Sequence, residues 1–395
     1  MTSTENVYMY SPTVVGGHPR YTKELLSALA NAGKTDGYDV SLITSENLEP
    51  VFETTAYPIH RVFPTLKPRD QFSSRISWSV DRLLHHPRKA RRLRRWMLQQ
   101  PGEGIVHLQE WPVWLGTREI RTMQRRGYRV VLTVHNVRWH FYPRYIPRQV
   151  FDRLRVQLFR SCDALFVHSE ELKADLSGLL AHDHPPIFVT PHGAWSNAAY
   201  VRPEDATTER EERHHLLLFG MLGHYKGVHV LLDALKFLPD DYTLTIAGQP
   251  VDEAYGQLIR EKVGTFAPGR VELVDRFISE EEIPGLFGKS SLLVLPYVNF
   301  NAQSGVLHDA ISWNLPVVGT EVGAVGDSIR EWKLGEVVEP SNEQELAAAI
   351  VRLYEPEPYA AALAGIRNAQ QGLSWERTAE ATIVGYTSLI GTGIT

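Results

Sequence analysis

The chain has 395 residues, one cysteine and a formal net charge of -5. At this length a single hydrophobic core is uncommon, so two domains are expected. Hydrophobic residues make up 43% of the chain and charged residues 22%, which excludes a disordered or fibrous protein. The negative balance argues against nucleic acid as a partner. The amino terminus lacks the segments of a signal peptide, and one cysteine cannot form an intramolecular disulfide, so a cytoplasmic location is expected.

Short β-branched or apolar runs alternate with amphipathic stretches along the chain. This alternation predicts an α/β fold in which largely parallel sheets are wound with helices. The predicted strands of the first half are Val7–Tyr10, Val40–Thr44, Ile105–Leu108, Val130–Val134, Ala164–His168 and Ile187–Thr190. Those of the second half are Leu216–Phe219, Leu244–Gly248, Val271–Val274, Leu292–Leu295, Val317–Val318 and Val337–Val338.

A polar segment, Val201 to His214, separates the two series and has no periodic apolar face. It predicts an interdomain linker between two Rossmann-like halves. The predicted domains are residues 1–198 and 199–375, followed by a terminal helix at 376–395. The helical pattern Ser374 to Ile390 is too long for a loose tail, so we expect it to cross back onto the first half.

The most informative segment spans residues 291–320, where an apolar strand, a polar loop, a helix and a second strand form one βαβ unit. The turn Gln303-Ser304-Gly305 opens the helix. Free backbone N–H groups and the positive end of the helix dipole suit a phosphate at such a turn. Asp309 lies four residues further along the same helix face, where it would accept hydrogen bonds from a ribose. The pair predicts a nucleotide site.

A second candidate is the segment Phe219–Gly227, with the sequence FGMLGHYKG, at the end of the first strand of the second half. Lys226 beside Gly227 would place an ammonium on a diphosphate. A lysine at a helix start is more often a solvated charge. The diphosphate interpretation depends on the neighbouring strand end, which carries the turn at residues 303–305.

Two further candidates lie in the first half. Paired glycines, Gly16-Gly17, follow the first strand and allow close approach to a ligand, although a plain βα turn is the alternative. His135-Asn136 follows a buried strand, where an α/β domain places ligand contacts, although a structural histidine is the alternative. His107 has the same placement and is more readily explained as structural. No GxGxxG motif follows the first strand, which disfavours a dinucleotide oxidoreductase.

A basic stretch, Arg88-Arg95, is expected to form a helix whose face carries Ala90, Leu93 and Met97. Such a helix would lie on an anionic membrane or grip a phosphorylated acceptor. A surface helix with extended arginines is the simpler alternative. Peripheral contact with the inner membrane face is therefore a secondary hypothesis.

Taken in order, these motifs resemble the GT-B retaining glycosyltransferases of glycosyltransferase family 4, over essentially the whole length. The matching segments are Gly16-Gly17, Ile105-Val106-His107, Val134-His135, Val189–Gly193, Phe219–Gly227, Val271–Ile283, the loop at Gln303 and Ser374-Trp375. The resemblance implies two Rossmann-like domains facing across a cleft. The carboxyl half would bind a nucleotide diphosphate sugar, with uridine the expected base, and the amino half would bind an acceptor.

The resemblance also implies residue roles. Lys226 matches the lysine that holds the donor diphosphate, and His135 matches the histidine near the donor sugar's hydroxyls. Together they form the implied catalytic pair. Gly17 matches the glycine loop that approaches the phosphates.

In the second half, the amides of Ser304–Val306 would bind phosphate, Asp309 would hold the ribose, and Arg276 and Phe277 would pack along the base. The implied donor-binding set is Gly16, Gly17, Gly220, Arg276, Phe277, Asn301, Gln303, Ser304, Gly305, Val306 and Asp309. No cofactor beyond the donor substrate, and no metal, is expected.

Two positions depart from the family pattern. Asn301 stands where the first of two glutamates is expected, and Met221 stands where an arginine is often found. Asn301 forms hydrogen bonds but brings no carboxylate charge. These departures suggest a different donor sugar or phosphate grip.

The expected acceptor is a hydroxyl of a glycan, a lipid-linked sugar or a natural-product aglycone. Aromatic residues in loops of the amino half would stack on an acceptor or pack in the core: Trp111, Trp114, Trp139, Phe141 and Tyr142. No convincing pair of catalytic carboxylates is present, so the departing phosphate oxygen is expected to take the acceptor proton. Two alternatives stay open, a nucleotide-sugar epimerase of GT-B fold and a catalytically silent partner subunit.

Overall fold

The computed structural model describes residues 4–14, 17–65, 88–110, 117–137, 147–195, 214–300 and 304–390. The chain divides into two compact units. Unit 1 comprises Met1–His192 together with Trp375–Thr395, and unit 2 comprises Gly193–Ser374.

Unit 1 is built on a seven-stranded sheet whose strands all pair in parallel. Its strands are β1 Glu5–Tyr10, β2 Tyr38–Ser45, β3 Ile59–Phe63, β4 Gly104–Leu108, β5 Tyr128–Thr133, β6 Ala164–Val167 and β7 Ile187–Val189. They lie in the order β3-β2-β1-β4-β5-β6-β7. The central strand β4 is buried along its whole length, because helices cover both faces of a parallel sheet.

The described helices of unit 1 are numbered in chain order with those of unit 2. They are α1 Gly17–Asp36, α2 over residues 88–97, α3 Thr117–Gln124, α4 Arg148–Ser161, α5 Glu170–Leu180 and α13 Trp375–Ile390. Helix α5 illustrates how the sequence sets a boundary. Ser169 caps its first turn by accepting from the Leu172 amide, and Glu170 and Glu171 complement the helix dipole.

The terminal helix α13 packs on α1, β6 and β7 of unit 1, which confirms the predicted return of the chain to its first half. Gly385 allows this contact, because a Cβ there would lie 2.5 Å from the Phe166 ring. Thr378 donates a hydrogen bond to the Pro191 carbonyl over 2.7 Å. The last helix is therefore an integral layer of unit 1.

The edge strand β3 was not predicted from the sequence. Its segment, IHRVF, has only Phe63 fully buried, and the other four positions are half-exposed or exposed. An edge strand contacts a neighbour on one side only, so it does not need the continuous apolar run of a central strand.

Helix α2 is present where the basic stretch predicted a helix. Its apolar side chains Ala90, Leu93 and Met97 are buried in the core of unit 1. The face that would insert into a lipid surface is therefore already packed. Across the described ranges, none of the helices combines the length and apolar character that crossing a bilayer requires.

His107 is fully buried and connects α13 to the sheet, as a structural histidine would. Its Nδ1 lies 2.5 Å from the Tyr386 hydroxyl, and its Nε2 lies 2.7 Å from Thr133 Oγ1. Burial lowers the pKa of His107 from 6.5 to about 3.

The pKa of His107 predicts acid sensitivity. Between pH 3 and 6.5 the unfolded chain binds a proton at this site that the folded chain does not. This difference leaves the free energy of unfolding unaffected above pH 6.5. Below that pH it lowers the free energy of unfolding, by up to about 1.4 kcal/mol for each pH unit. Urea unfolding should show that the free energy of unfolding decreases less between pH 7 and pH 5 in His107→Asn than in the wild-type protein.

The matched control is His184→Asn, because His184 is exposed in the same unit. It should keep the wild-type pH dependence. An identical pH dependence in His107→Asn and wild type would rule out the buried imidazole as a source of acid sensitivity.

Unit 2 is built on a six-stranded parallel sheet in the order β10-β9-β8-β11-β12-β13. Its strands are β8 His215–Phe219, β9 Thr243–Ala247, β10 Val271–Val274, β11 Leu292–Leu295, β12 Val317–Thr320 and β13 Gly335–Val338. Its described helices are α6 Val228–Ala234, α7 Glu253–Val263, α8 Ile283–Lys289, α9 Gly305–Ser312, α10 Gly323–Trp332, α11 Glu343–Leu353 and α12 Pro356–Gly372.

Two apolar clusters form the core of unit 2, one on each face of its sheet. Along β8, Leu216 and Leu218 belong to one cluster and Leu217 to the other. The same alternation occurs in β11, where successive side chains point to opposite faces. The predicted strands of both halves are thus confirmed, and each half has the Rossmann-like architecture expected of it.

Candidate functional site

The strand order of unit 2 creates a topological switch point. The chain moves outward from β8 through β9 and β10, then returns to add β11, β12 and β13 on the other side of β8. Loops leaving the carboxyl ends of β8 and β11 therefore diverge, and such a sheet places its ligand crevice there.

Two glycines shape the loop after β8. Gly220 and Gly227 have φ angles of +98° and +65°, a region that other residues rarely adopt. A Cβ on Gly227 would lie 1.8 Å from the carbonyl oxygen of Pro296, which directly follows β11. The loop thus presses against the end of the neighbouring strand. The short turn His224–Lys226 carries Lys226 into the switch point.

Lys226 is 4% exposed and lies at this junction. Its Nζ donates to the Phe219 carbonyl over 2.8 Å and to the Tyr297 hydroxyl over 3.1 Å. Burial lowers the pKa of the ammonium, while the charges of Tyr225 and Asp309 oppose that shift. An ammonium has three donors, and these two bonds use two of them.

Tyr297 connects Lys226 to the start of helix α9. Its hydroxyl lies 3.0 Å from Ser304 Oγ. Because the ammonium only donates, the tyrosine hydroxyl accepts from it, and the tyrosine and serine hydroxyls share a second hydrogen bond that either can donate. Ser304 stands at the N-cap of α9, yet its side chain caps no helix amide.

Helix α9 begins at Gly305, as the sequence predicted. A Cβ on Gly305 would meet no atom within 4 Å, so the backbone there faces open space. The first amides of a helix lack intrahelical partners and carry the positive end of the dipole. Asp309, one turn further on, is 5% exposed and close enough to Lys226 to affect its pKa. The structure thus gathers Lys226, Ser304, Gly305 and Asp309.

Arg276 and Phe277 are placed differently. They follow β10, two strands from the switch point strand β8. The Arg276 guanidinium forms a two-pronged ion pair with Glu282, with hydrogen bonds of 3.0 Å and 2.6 Å. The Phe277 side chain is 48% exposed. None of the contacts recorded for either side chain reaches Lys226 or α9 within the described residues.

Val306 and Gly220 meet beside the lysine. A Cβ on Gly220 would lie 2.9 Å from Lys226 Nζ and 3.4 Å from Val306 Cγ2. Met221, which stands where the resemblance implies an arginine, is 54% exposed. Several predicted positions lie outside the described residues: Gly16, Asn301, Gln303, linker residues 201–213 and the aromatic loops at 111–116 and 138–146.

Unit 1 has an equivalent switch point between β1 and β4. The Glu110 carboxylate, after β4, accepts from the Thr13 amide over 2.8 Å and from its hydroxyl over 2.7 Å. These bonds hold the two loops together around a cavity of about 170 Å³. Its lining includes Thr13, His18, Gln109, Glu110, His135 and Arg155. Gly17 begins α1 beside this region, and a Cβ on it would meet no atom within 4 Å.

His135 lies at the carboxyl end of β5 and lines this cavity. Its Nδ1 lies 2.9 Å from His168 Nε2. Its ring packs edge-on against His18 and Tyr21, with centroid distances of 4.9 Å and 4.8 Å. Burial, followed by the charges of His168 and His18, holds the pKa of His135 well below its usual range. The imidazole is therefore neutral at physiological pH.

Sequence reasoning missed two residues of these sites, Tyr297 and His168. Both stand just after a buried strand, the position that identified His135. Tyr297 has the additional signal of lying six residues before Gln303 in the same loop.

Known families match both halves of the chain. A family model described as Glycosyltransferase Family 4 matches residues 15–194. Another, described as Glycosyl transferases group 1, matches residues 213–356. The chain is 25% identical over 405 residues to a glycogen synthase of Mycobacterium tuberculosis, covering 95% of this chain and 92% of that protein. It is 26% identical over 254 residues to a D-inositol 3-phosphate glycosyltransferase of a Nocardioides species, covering 58% and 54%.

Solved structures share the fold. The sucrose-phosphate synthase of Thermosynechococcus elongatus superposes with a TM-score of 0.72 at 19% identity, covering 98% of this chain and 100% of that one. The Anabaena protein HepE, solved in complex with UDP and glucose, gives a TM-score of 0.71 at 16% identity, covering 97% and 100%.

Two parallel Rossmann-like units with a returning terminal helix, matched over nearly the whole chain by these structures, define a GT-B fold. The family models assign glycosyl transfer to both halves of that fold. The chain belongs to the GT-B glycosyltransferases of family 4 and group 1.

Proposed function

We propose that this glycosyltransferase moves a sugar from a UDP-sugar to a hydroxyl acceptor with retention of anomeric configuration and without a metal ion. The observation that carries the proposal is the buried Lys226 ammonium at the switch point, hydrogen-bonded through Tyr297 towards Ser304. A buried cation beside a helix N-terminus suits the diphosphate of a nucleotide sugar.

In the proposed reaction, the bond between the anomeric carbon and the diphosphate oxygen breaks, and its electron pair leaves with the diphosphate. The acceptor oxygen forms its bond to the same face of that carbon. The acceptor proton passes to the departing phosphate oxygen. Lys226 and the first amides of α9 neutralise the charge that grows on the diphosphate, so they act most strongly in the transition state.

Uridine is the proposed base because structural relatives of this fold were solved with it. HepE was solved with UDP, with UDP and glucose, and with UDP-glucose. In this proposal Asp309 accepts hydrogen bonds from the ribose, since it shares a helix face with the phosphate-binding turn. Helix α2 has no membrane role in the proposal, because its apolar side chains are packed in the core.

The proposed acceptor is a carbohydrate hydroxyl, in keeping with the glycogen synthase similarity across 95% of the chain. Lipid-linked sugars and aglycones present the same nucleophile and are alternatives within the same reaction. His135, neutral and lining the unit 1 cavity, is proposed to form a hydrogen bond with a sugar hydroxyl.

The proposal is tested first by thermal unfolding with nucleoside diphosphates. A nucleotide that binds only the folded protein stabilises it by about 2.7 kcal/mol at 100 times its Kd. UDP is expected to raise Tm more than GDP or ADP. If no nucleoside diphosphate raises Tm, the silent partner subunit is favoured.

Incubation with UDP-glucose then separates the enzymatic alternatives. A transferase consumes the donor only when an acceptor glycan is present, and NMR of the product should show the anomeric configuration of the donor. An epimerase would instead convert the donor alone into a new sugar nucleotide. An inverted product would leave a transferase but overturn the retaining mechanism.

Asp309→Asn is expected to weaken UDP binding by roughly tenfold or more, because a charge-assisted hydrogen bond to the ribose is lost. Isothermal titration calorimetry measures the change. The matched control is Asp327→Asn in α10, where the carboxylate pairs with Arg330 at the surface over 3.7 Å. Equal UDP affinity in Asp309→Asn and wild type would remove the ribose role from Asp309.

A further inference from the structure

Three residues lie in a row at the carboxyl end of the unit 1 sheet. His135 follows β5, His168 follows β6 and Thr190 follows β7, and these three parallel strands are neighbours in that order. His135 Nδ1 lies 2.9 Å from His168 Nε2, and His168 Nδ1 lies 3.1 Å from the Thr190 carbonyl oxygen. The three groups form one chain of hydrogen bonds.

The carbonyl at one end determines which atom donates in each of these hydrogen bonds. The Thr190 oxygen only accepts, so His168 Nδ1 must carry a proton. Burial lowers the pKa of His168 to about 4, so the ring is neutral and its Nε2 has a lone pair. That lone pair accepts from Nδ1–H of His135. His135 is also neutral, so its own Nε2 is left without a proton.

Packing holds the chain of bonds in place. The Thr190 amide donates to the Val167 carbonyl over 2.7 Å, which fixes the acceptor at the end of β6. The Tyr21 ring is 2% exposed and contacts both imidazoles, with centroid distances of 4.8 Å to His135 and 5.3 Å to His168.

At the other end of this series of hydrogen bonds is His135 Nε2. This atom is buried and has no hydrogen-bond partner among the described residues. The Gln109 backbone carbonyl raises the pKa of His135 against the larger effect of burial, but it does not meet the geometry of a hydrogen bond with Nε2. If Nε2 of His135 carried the proton instead, His135 Nδ1 would have to accept from Nε2–H of His168. His168 Nδ1 would then have no proton, and its lone pair would face the lone pairs of the Thr190 oxygen at 3.1 Å.

We propose that His168 is a positioning residue that fixes His135 in the Nδ1–H tautomer and so presents a bare Nε2 to the unit 1 cavity. The inference rests on the proposed function for its role in sugar transfer. A bare Nε2 accepts a hydrogen bond from a hydroxyl or amine and repels a carbonyl, carboxylate or phosphate oxygen. His168 thereby selects which polar group of a ligand enters at His135.

The tautomer is measured directly by ¹⁵N NMR of histidine-labelled protein without substrate at neutral pH. His135→Gln identifies the His135 signals by their disappearance. The expected result is a protonated Nδ1 and an unprotonated Nε2 on His135. Protonated Nε2 in the wild-type protein would overturn the inference, whatever the protein's activity.

Kinetics test the consequence with two substitutions. His168→Leu removes the acceptor for His135 Nδ1–H, and kcat should fall by roughly 10- to 100-fold, as for other residues that orient a functional group. His168→Gln places an amide oxygen near the former Nε2 and should retain most of the activity. The matched control is His192→Gln, because the His192 ring also packs on Tyr21, at 5.1 Å. It should change Tm without the loss in kcat.

The possible outcomes separate the inference from the proposed function. Equal kcat losses in His168→Leu, His168→Gln and His192→Gln would reveal a merely structural cluster and overturn the inference. If His168→Leu does not fold, the tautomer in wild type and the activity of His168→Gln still decide. If the wild-type protein transfers no sugar, the proposed function fails, while the NMR result stands on its own.

Discussion

Replacing Lys226 with alanine is expected to lower kcat by roughly two orders of magnitude or more, with a smaller effect on donor binding. The reason is that charge on the leaving diphosphate is greatest in the transition state, where a buried ammonium stabilises it most. The lysine is 4% exposed, so bulk water screens its charge little. Steady-state kinetics with UDP-glucose and a glycan acceptor give kcat, and calorimetry with UDP gives the affinity.

The control for the Lys226 prediction is Lys236→Ala, because Lys236 is 53% exposed and pairs with Asp233 at the surface of the same unit. It should leave kcat unchanged. Lys226→Ala also leaves the Phe219 carbonyl and the Tyr297 hydroxyl short of a donor, at a cost of about 1 to 3 kcal/mol. Thermal unfolding checks that the variant is folded at the assay temperature. Near-normal turnover in a folded Lys226→Ala protein would contradict the assignment.

Gly227→Ala is expected to destabilise unit 2 by roughly 3 kcal/mol or more. A side chain at a φ of +65° is strained, and the added Cβ would lie 1.8 Å from the Pro296 carbonyl oxygen. The loop after β8 would have to move away from β11, and Lys226 would move with it. Urea unfolding and kcat should therefore both show a loss.

Gly285→Ala is the matched control for Gly227. Gly285 lies in α8, where an added Cβ meets no atom within 4 Å, and alanine is the better helix former by roughly 1 kcal/mol. That variant should be as stable as wild type or slightly more so. Wild-type stability in Gly227→Ala would show that the contact between this loop and the end of β11 is not tight.

Much of the fold follows from local sequence. Central strands such as β4 and β11 are buried on both faces, so their apolar runs are continuous and easily recognised. The edge strand β3 was not predicted because its exposed positions tolerate charged residues such as Arg61, which interrupt the apolar pattern. The terminal helix was predicted from its length and pattern alone.

The candidate sites were predictable only in part. Lys226, Ser304 and His135 stand at strand or helix ends, and such positions are readable from sequence. Tyr297 and His168 were not predicted as site residues. Their roles depend on the order of the strands in the sheet, and no single segment of the sequence encodes that order. The resemblance-based placement of Arg276 beside a base has no supporting contact here, since Glu282 occupies its guanidinium.

The position of α13 has a consequence for synthesis of the protein. Unit 1 contains both the first and the last stretches of the chain, so its fold cannot be completed on the ribosome until unit 2 has been made. Domains usually fold in order as they emerge, amino-terminal first. Until α13 has been made, His107 lacks Tyr386 and the surface over β6 is uncovered. Unit 2 is contiguous in the chain, so all of its residues are available before the last layer of unit 1 can be added.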